Sequence, residues 1–218
     1  MRSGNRVLDA GCGQGRASLR LAEKHHARIS GIDLVPRSIA LAKRLGRNKN
    51  VDFQIADYNS LPFEDETFDV VFTCMRETFT HSSNPEATIR EFLRVLKPGG
   101  RIAIFDYSIA PLDQVPPDIA RAIHTIAEKT NCPGFDTITH DYYDKLLPKL
   151  GVSSFNIANE GTSVLPVIKL FYAISWIPYH LLKLLGKEHA HPNTLIAHIA
   201  LNGWRKDYIR YITVRITK

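Results

Sequence analysis

Cysteine is scarce in this chain of 218 residues, and Cys12, Cys74 and Cys132 stand far apart with no C-x-x-C pair among them. That spacing excludes a disulfide framework and a zinc ribbon, and it fits a reducing, cytoplasmic setting. No charged-then-apolar leader precedes the first apolar strand, so no secretion signal is expected. Long uncharged hydrophobic runs are lacking as well. The most apolar stretch, residues 164–182, is interrupted by Lys169 and two prolines and closed by Lys183, which leaves it short of a transmembrane segment. No linker divides the chain, and a hydrophobic content of 44% is enough for one good core. A single domain over residues 1–218 is the expectation.

Acidic residues are outnumbered, 22 against 28 Lys and Arg, for a net charge of +6 and a pI near 9.3. Such an excess raises RNA as an alternative substrate. Its distribution makes nucleic acid an unlikely partner. Lys43, Arg44, Arg47 and Lys49 gather on one helix and loop, where solvated charge is ordinary, and no basic stretch is interleaved with aromatics.

What the chain does have is the run Val7-Leu8-Asp9-Ala10-Gly11-Cys12-Gly13-Gln14-Gly15: an apolar strand, an acid, then three glycines at alternate positions. Glycines there let the backbone turn sharply and approach a ligand. A helix from about Arg16 to Lys24 then aims its free N–H groups at the same place. Pyrophosphate loops use G-x-G-x-x-G, whereas this spacing is G-x-G-x-G. A second apolar strand ends in Asp33, about two dozen residues beyond Asp9, where a Rossmann-like unit places a ribose-binding acid. Asp33 also stands where it can cap the helix that starts near Pro36. A third strand, residues 51–56, ends in Asp57-Tyr58. Three strand-end acids then open on one crevice.

These features resemble motif by motif, from about Arg6 to Asp106, the class I S-adenosyl-L-methionine (SAM) dependent methyltransferases. Asp57 to Phe72 is similar to that family's D-A-x-x-L-P-F-x-D-x-x-F-D-x-V phrase, and Arg94-Val95-Leu96-Lys97-Pro98-Gly99-Gly100 to its helix-to-strand turn. The closest likeness is to the sterol C-methyltransferase and natural-product group. The resemblance implies an α/β, Rossmann-like fold with a seven-stranded, mostly parallel sheet, an antiparallel last strand and a helical insertion before it. It implies SAM as cofactor, held by Asp9, Gly11, Cys12, Gly13, Gly15, Asp33, Leu34, Asp57, Tyr58 and Cys74. Within the domain, residues 6–106 would form the SAM-binding core, 107–161 the second half of the sheet, 162–206 a helical cap and 207–218 the last strand.

Chemistry is expected after the fourth strand. Glu77 and His81 match the E-x-x-x-H phrase of the sterol group. Methyl transfer asks the protein for alignment and for a group that takes or guides a proton. His81 suits a base for an oxygen or nitrogen acceptor; Glu77 suits a residue that orients it or stabilises a cation. The bland alternatives are a helix cap near Pro85 and a surface acid. Asp106, ending the fifth strand, borders the same crevice.

The second half departs from a minimal methyltransferase. About 45 residues separate the sixth strand from the last, where a hairpin would suffice. Residues 164–185 are expected as one or two helices, with Phe171, Tyr172, Trp176 and Tyr179 walling a pocket for a small lipophilic acceptor such as a sterol, terpenoid or polyketide. A plain helical cap, a homo-oligomer surface and shallow contact with a membrane face are the other readings. His189, His191 and His198 lack a plausible fourth ligand, so no metal is expected. Relatives carry helices ahead of the first strand that close over the cofactor. Only Met1 to Asn5 stand there here. The cover would then come from a longer chain, from the insertion or from a second subunit. Failing these, the fold would bind SAM without transferring its methyl group, or would run a different reaction on a natural product.

Overall fold

The computed structural model describes residues 2–47, 49–73, 79–187 and 190–218. Its strands are β1 (Arg6–Ala10), β2 (Arg28–Asp33), β3 (Val51–Ile55), β4 (Phe68–Thr73), β5 (Leu96–Ile109), β6 (Ser154–Asn159) and β7 (Ile209–Thr217). They form one sheet in the order β3-β2-β1-β4-β5-β7-β6. All pairings are parallel except those of β7, which runs antiparallel to β5 and β6. This is the sheet the sequence implies. The chain winds outward from β1 to β3 and then crosses to β4 on the other side, so the crevice opens at the carboxyl ends of β1 and β4.

The inner strands are apolar on both faces because helices cover both. Leu8, Val71, Ile102 and Ile104 pack with Ile89 and Phe92 of α3 (Pro85–Val95) and Tyr143 and Leu147 of α5 (Tyr142–Lys149). The alternate residues Val7, Ile29, Val70 and Phe72 pack with Ala22 of α1 (Arg16–His25). Ile39 and Ala42 of α2 (Pro36–Leu45) close on Phe53 and Cys12. The period of two along each strand therefore sorts neighbours to opposite layers.

Two features depart from the sequence expectations. The strand after Pro98-Gly99-Gly100 begins earlier, at Leu96, and runs past Asp106 to Ile109, so that acid does not end it; the turn is absorbed as a register shift between Phe68 and Val70, with Gly99 at φ 74°. A helix not foreseen, α4 (Pro117–Thr130), follows β5 and packs on the insertion.

The insertion itself is two antiparallel helices, α6 (Gly161–Leu184) and α7 (Pro192–Arg205). It starts at Gly161 for a steric reason: a Cβ there would lie 2.2 Å from Trp204 Nε1. Among the described residues α6 is long and apolar enough, by length and composition, to cross a bilayer, despite Lys169, Lys183, Pro166 and Pro178. Its buried side, Gly161, Ile168 and Ser175, nevertheless lies on the protein, and Leu195 and Ile199 of α7 join Ile123 and Ile126 of α4 in a second core over Ile109 and Ile209.

Candidate functional site

The crevice is built from strand ends. Asp9 is fully buried at the end of β1, and Ser18 Oγ of α1 donates to its Oδ2. Its Oδ1 has no hydrogen-bond partner among the described residues. Burial pushes the Asp9 carboxyl up to about 7, helped by the charge of Asp33, while Ser18 opposes the shift. Gly11, Gly13 and Gly15 take φ of 79°, 52° and 75°, left-handed values that a side chain would resist. At Gly15 a Cβ would also meet the Phe53 ring at 2.5 Å, so loop and helix can close on β3 only with glycine. Asp33 ties the loop down: Gly13 N donates to Oδ2 at 2.9 Å and Val35 N to Oδ1 at 2.8 Å. It thus does bond at the start of α2, and each oxygen keeps a second lone pair for a ligand. Asp57 accepts from Asn59 N at 2.8 Å and Asn59 Nδ2 at 3.0 Å. Leu34 stands exposed beside Asp33, while Cys12 and Tyr58 are buried.

SAM fits these residues. It is a cation that carries a ribose and a flat apolar base. The crevice offers an orphaned buried carboxylate oxygen, two more strand-end carboxylates and an exposed apolar side chain between them. Cys74 and Glu77 lie outside the described residues.

Residues 79–84 are pinned from two sides. Asn59 Oδ1 accepts from Ser82 Oγ at 3.1 Å and Thr88 Oγ1 at 2.7 Å, which joins the β3 loop to the start of α3. Asn84 caps that helix by accepting from Ala87 N at 3.1 Å, so His81 is not its cap. On the other side Gly134 N donates to Thr80 O at 2.7 Å. His81 lies between these anchors, against the end of α4: its Nδ1 is 2.9 Å from Asn131 O and its Nε2 is 3.1 Å from Cys132 Sγ. With Nδ1–H donated to the carbonyl, the Nε2 lone pair faces the thiol. Neither this clamp nor the buried phenol of Tyr143, whose Oη lacks a hydrogen-bond partner among the described residues and feels the charge of buried Asp106, was foreseen. The spacing of Asn59, Ser82 and Thr88 carries no signal of its own.

Beside the crevice lies an apolar cavity of about 490 Å³ between α6 and α7, floored by Tyr107 and Phe135. Tyr107 follows Asp106 along β5 but turns to the opposite face of the sheet, so the cavity lies at the carboxyl end of β5 on the layer of Ile109 and Ile209. Of the four aromatics expected to wall a pocket, only Phe171 does. Tyr172 and Tyr179 stack on His198 at 5.0 Å and 3.7 Å between centroids, and Trp176 sits on His180. The reason is helical phase. The cavity side of α6 runs through Val164, Ile168, Phe171, Ser175 and Pro178, in steps of three and four, which turns Tyr172, Trp176 and Tyr179 away. From α7 the cavity takes Ala197, Ala200 and Trp204, which sequence reasoning left out because the register of α7 against α6 was not readable.

The remaining candidates are quickly placed. Lys43 and Arg44 occupy the last turn of α2, where cations complement the helix dipole, and Lys49 pairs with Glu23. Among the described residues no three His, Cys, Asp or Glu side chains converge as a metal site would require.

Comparison with known proteins bears on this geometry. Residues 1–151 match the methyltransferase domain family. The S-adenosyl-L-methionine-dependent Diels-Alderase iccD of Talaromyces variabilis is 28% identical over 215 residues, 93% of this chain and 73% of its own length. The 27-O-demethylrifamycin SV methyltransferase of Amycolatopsis mediterranei is 35% identical over 115 residues, 51% of this chain and 42% of its own. Among solved structures, the Haemonchus contortus phosphoethanolamine N-methyltransferase 2 complex with S-adenosyl-L-methionine superposes with a TM-score of 0.78 at 18% identity, over 100% of this chain and 49% of that one. The chain thus spans about half the length of some relatives it matches. With the strand-end acids, the glycine loop and the family match in agreement, the chain belongs to the methyltransferase domain family and has its class I fold.

Proposed function

We propose that the protein moves the methyl group of SAM to a small lipophilic acceptor lodged between α6 and α7. The observation that carries this is the cavity of about 490 Å³, apolar along both helices and set at the carboxyl end of β5, the same sheet edge at which the strand-end acids stand. In this reading Asp9, Gly11, Cys12, Gly13 and Gly15 form the loop against the amino-acid end of the cofactor. Asp33 and Leu34 take its ribose and the edge of its base, and Asp57 and Tyr58 the rest of the base; Cys74 is proposed as a further contact. SAM, when bound, supplies an electrophilic methyl on a sulfonium. The chain's part is to align the acceptor, exclude water and receive a proton. His81 is proposed as the proton-receiving residue, with Glu77 to orient it or to stabilise a cation; the contacts to Asn131 O and Cys132 Sγ fix the imidazole plane, and Nε2 takes the proton once it exchanges the thiol for the acceptor. The relative that methylates a rifamycin is in keeping with a bulky natural-product acceptor. The free thiols of Cys12 and Cys132 support a reducing, cytoplasmic location.

Filling the cavity tests this. Ala197→Trp should lower acceptor turnover at least about 10-fold while SAM affinity, read by calorimetry, stays unchanged. Retained turnover would place the acceptor elsewhere.

A second reaction in the same cavity is favoured by one observation: the relative that aligns with 93% of this chain is a Diels-Alderase. An apolar cavity that folds a polyene would promote cyclisation by alignment alone. Product mass separates the two, since methylation adds a CH₂ unit and cyclisation leaves the mass unchanged.

A further inference from the structure

Helix α6 turns an apolar stripe outward. Leu170, Ile174, Ile177, Leu181 and Leu184 recur at the spacing of one helix face, and each is more than half exposed. The opposite face, through Ile168 and Ser175, is buried on the protein. Exposed Lys169 and Lys183 stand together along one side of the stripe and Lys187 follows it, while residues 161–187 contain no Asp or Glu. Phe171 and Ile174 belong both to this exposed side and to the cavity wall, so the cavity opens onto it.

We propose that α6 lies flat in the surface of an anionic lipid bilayer, with the stripe among the upper acyl chains and the three lysines at the headgroups, and that the cavity mouth faces the lipid. Charge selects this occupant. A second copy packed about a two-fold axis would set α6 against α6, bringing like-charged lysines together with no carboxylate on the helix to answer them. A spanning helix is opposed by the buried side, which is committed to α7 and the core beneath it. An interfacial helix needs one apolar face, cations beside it and a protein side, and α6 has all three. The docking rests on the helix alone; delivery of the acceptor from the lipid rests also on the function proposed above.

The test is sedimentation of the full chain with vesicles of phosphatidylcholine, with and without phosphatidylserine. Binding should require phosphatidylserine, weaken with salt, and fall roughly 10-fold or more in Ile177→Glu/Leu181→Glu, two positions outside the cavity wall. Lys169→Glu/Lys183→Glu should lose the preference for phosphatidylserine. Turnover of a detergent-dispersed acceptor should be unchanged in the first variant, which separates failure of docking from failure of the cavity assignment. Absence of binding to either vesicle overturns the proposal. So does a dimer, seen by light scattering, that Ile177→Glu/Leu181→Glu dissociates without any vesicle binding.

Discussion

The crevice at β1–β3 and the cavity at α6–α7 lie side by side yet are made in opposite ways. The crevice is polar and assembled from strand ends, each acid fixed by a ladder that leaves little freedom: Asp9 opposite Gly31, Asp33 opposite Ile55. The cavity is apolar and assembled from two helix faces over a strand and a turn, with Phe171 and Trp204 meeting Tyr107 and Phe135 only after α6 and α7 dock. A strand end is located once the strand is recognised. A helix face is located only when phase and docking angle are both known. Chemistry placed on strand ends is therefore readable from the chain, and specificity placed on helix faces is not.

The largest effect that would break this contrast is at the loop between the two regions. If His81 takes the proton, His81→Ala should reduce turnover by about 10²–10⁴-fold with SAM affinity nearly constant, and Glu77→Gln should act in the same direction. Cys132→Ala sharpens the reading, because it frees the Nε2 face without removing the imidazole. Full activity in the His81 and Glu77 variants on the true acceptor would leave alignment as the main source of rate, and residues 79–84 would count as scaffold.

The next effect concerns the buried acid of the crevice. The Asp9 carboxyl is raised to about 7 from 3.8, so the folded chain holds a proton that the unfolded chain has released. Stability without SAM should then fall as pH rises from about 4 to 7 and level off above, with a total cost on the order of 4 kcal/mol. Asp9→Asn should abolish this slope and be the more stable protein at pH 8 by calorimetric melting. A cationic ligand favours the ionised form, so SAM affinity of the unaltered chain should rise across the same window and that of Asp9→Asn should not. Coincident melting curves at pH 8 would mean that Asp9 is solvated.

Asp33→Ala is smaller and more local. It removes the proposed ribose acceptor together with the bonds to Gly13 N and Val35 N. SAM binding should weaken by about 1.5–3 kcal/mol, the scale of a hydrogen bond to a charged group. Unchanged affinity by calorimetry, or a preference for NAD, would unseat the ribose assignment.

How much was legible follows the same division. Asp9-x-Gly-x-Gly-x-Gly, the acid ending β2 and the phrase from Asp57 to Phe72 each landed at a strand end, and the antiparallel return of β7 followed from the family's pattern. The strand through Pro98-Gly99-Gly100 was read as starting too late because a bulge and a turn use the same residues. Phe171 lines the cavity while Tyr172, Trp176 and Tyr179 turn away from it, since apolar aromatics occur all round α6 and composition cannot choose a face. The pinning of residues 79–84 by Asn59 and Gly134 joins segments whose contact no local pattern announces.

The smallest effect tests the contrast by its sign. His198 of α7 is sandwiched by Tyr172 and Tyr179 of α6, and burial, with His180 and Lys183 nearby, holds its imidazole below the usual 6.5. A base with a lowered folded value is neutral in the native state while the unfolded chain takes up a proton, so its stabilising contribution is lost as pH falls through and below 6.5. Acidification should therefore loosen α6 from α7 over the very window in which it stabilises the loop around Asp9. Hydrogen exchange resolves the two: amides of α6 and α7 should exchange faster at pH 5.5 than at 7.5 after correction for intrinsic rate, while those of β1 and α1 should be better protected. His198→Phe keeps a ring between the tyrosines and should remove the acid response of the cap alone. If both regions respond to pH with one sign, they unfold as a single unit, and the division between a crevice written in strand ends and a cavity written in helix faces would be one of sequence pattern only.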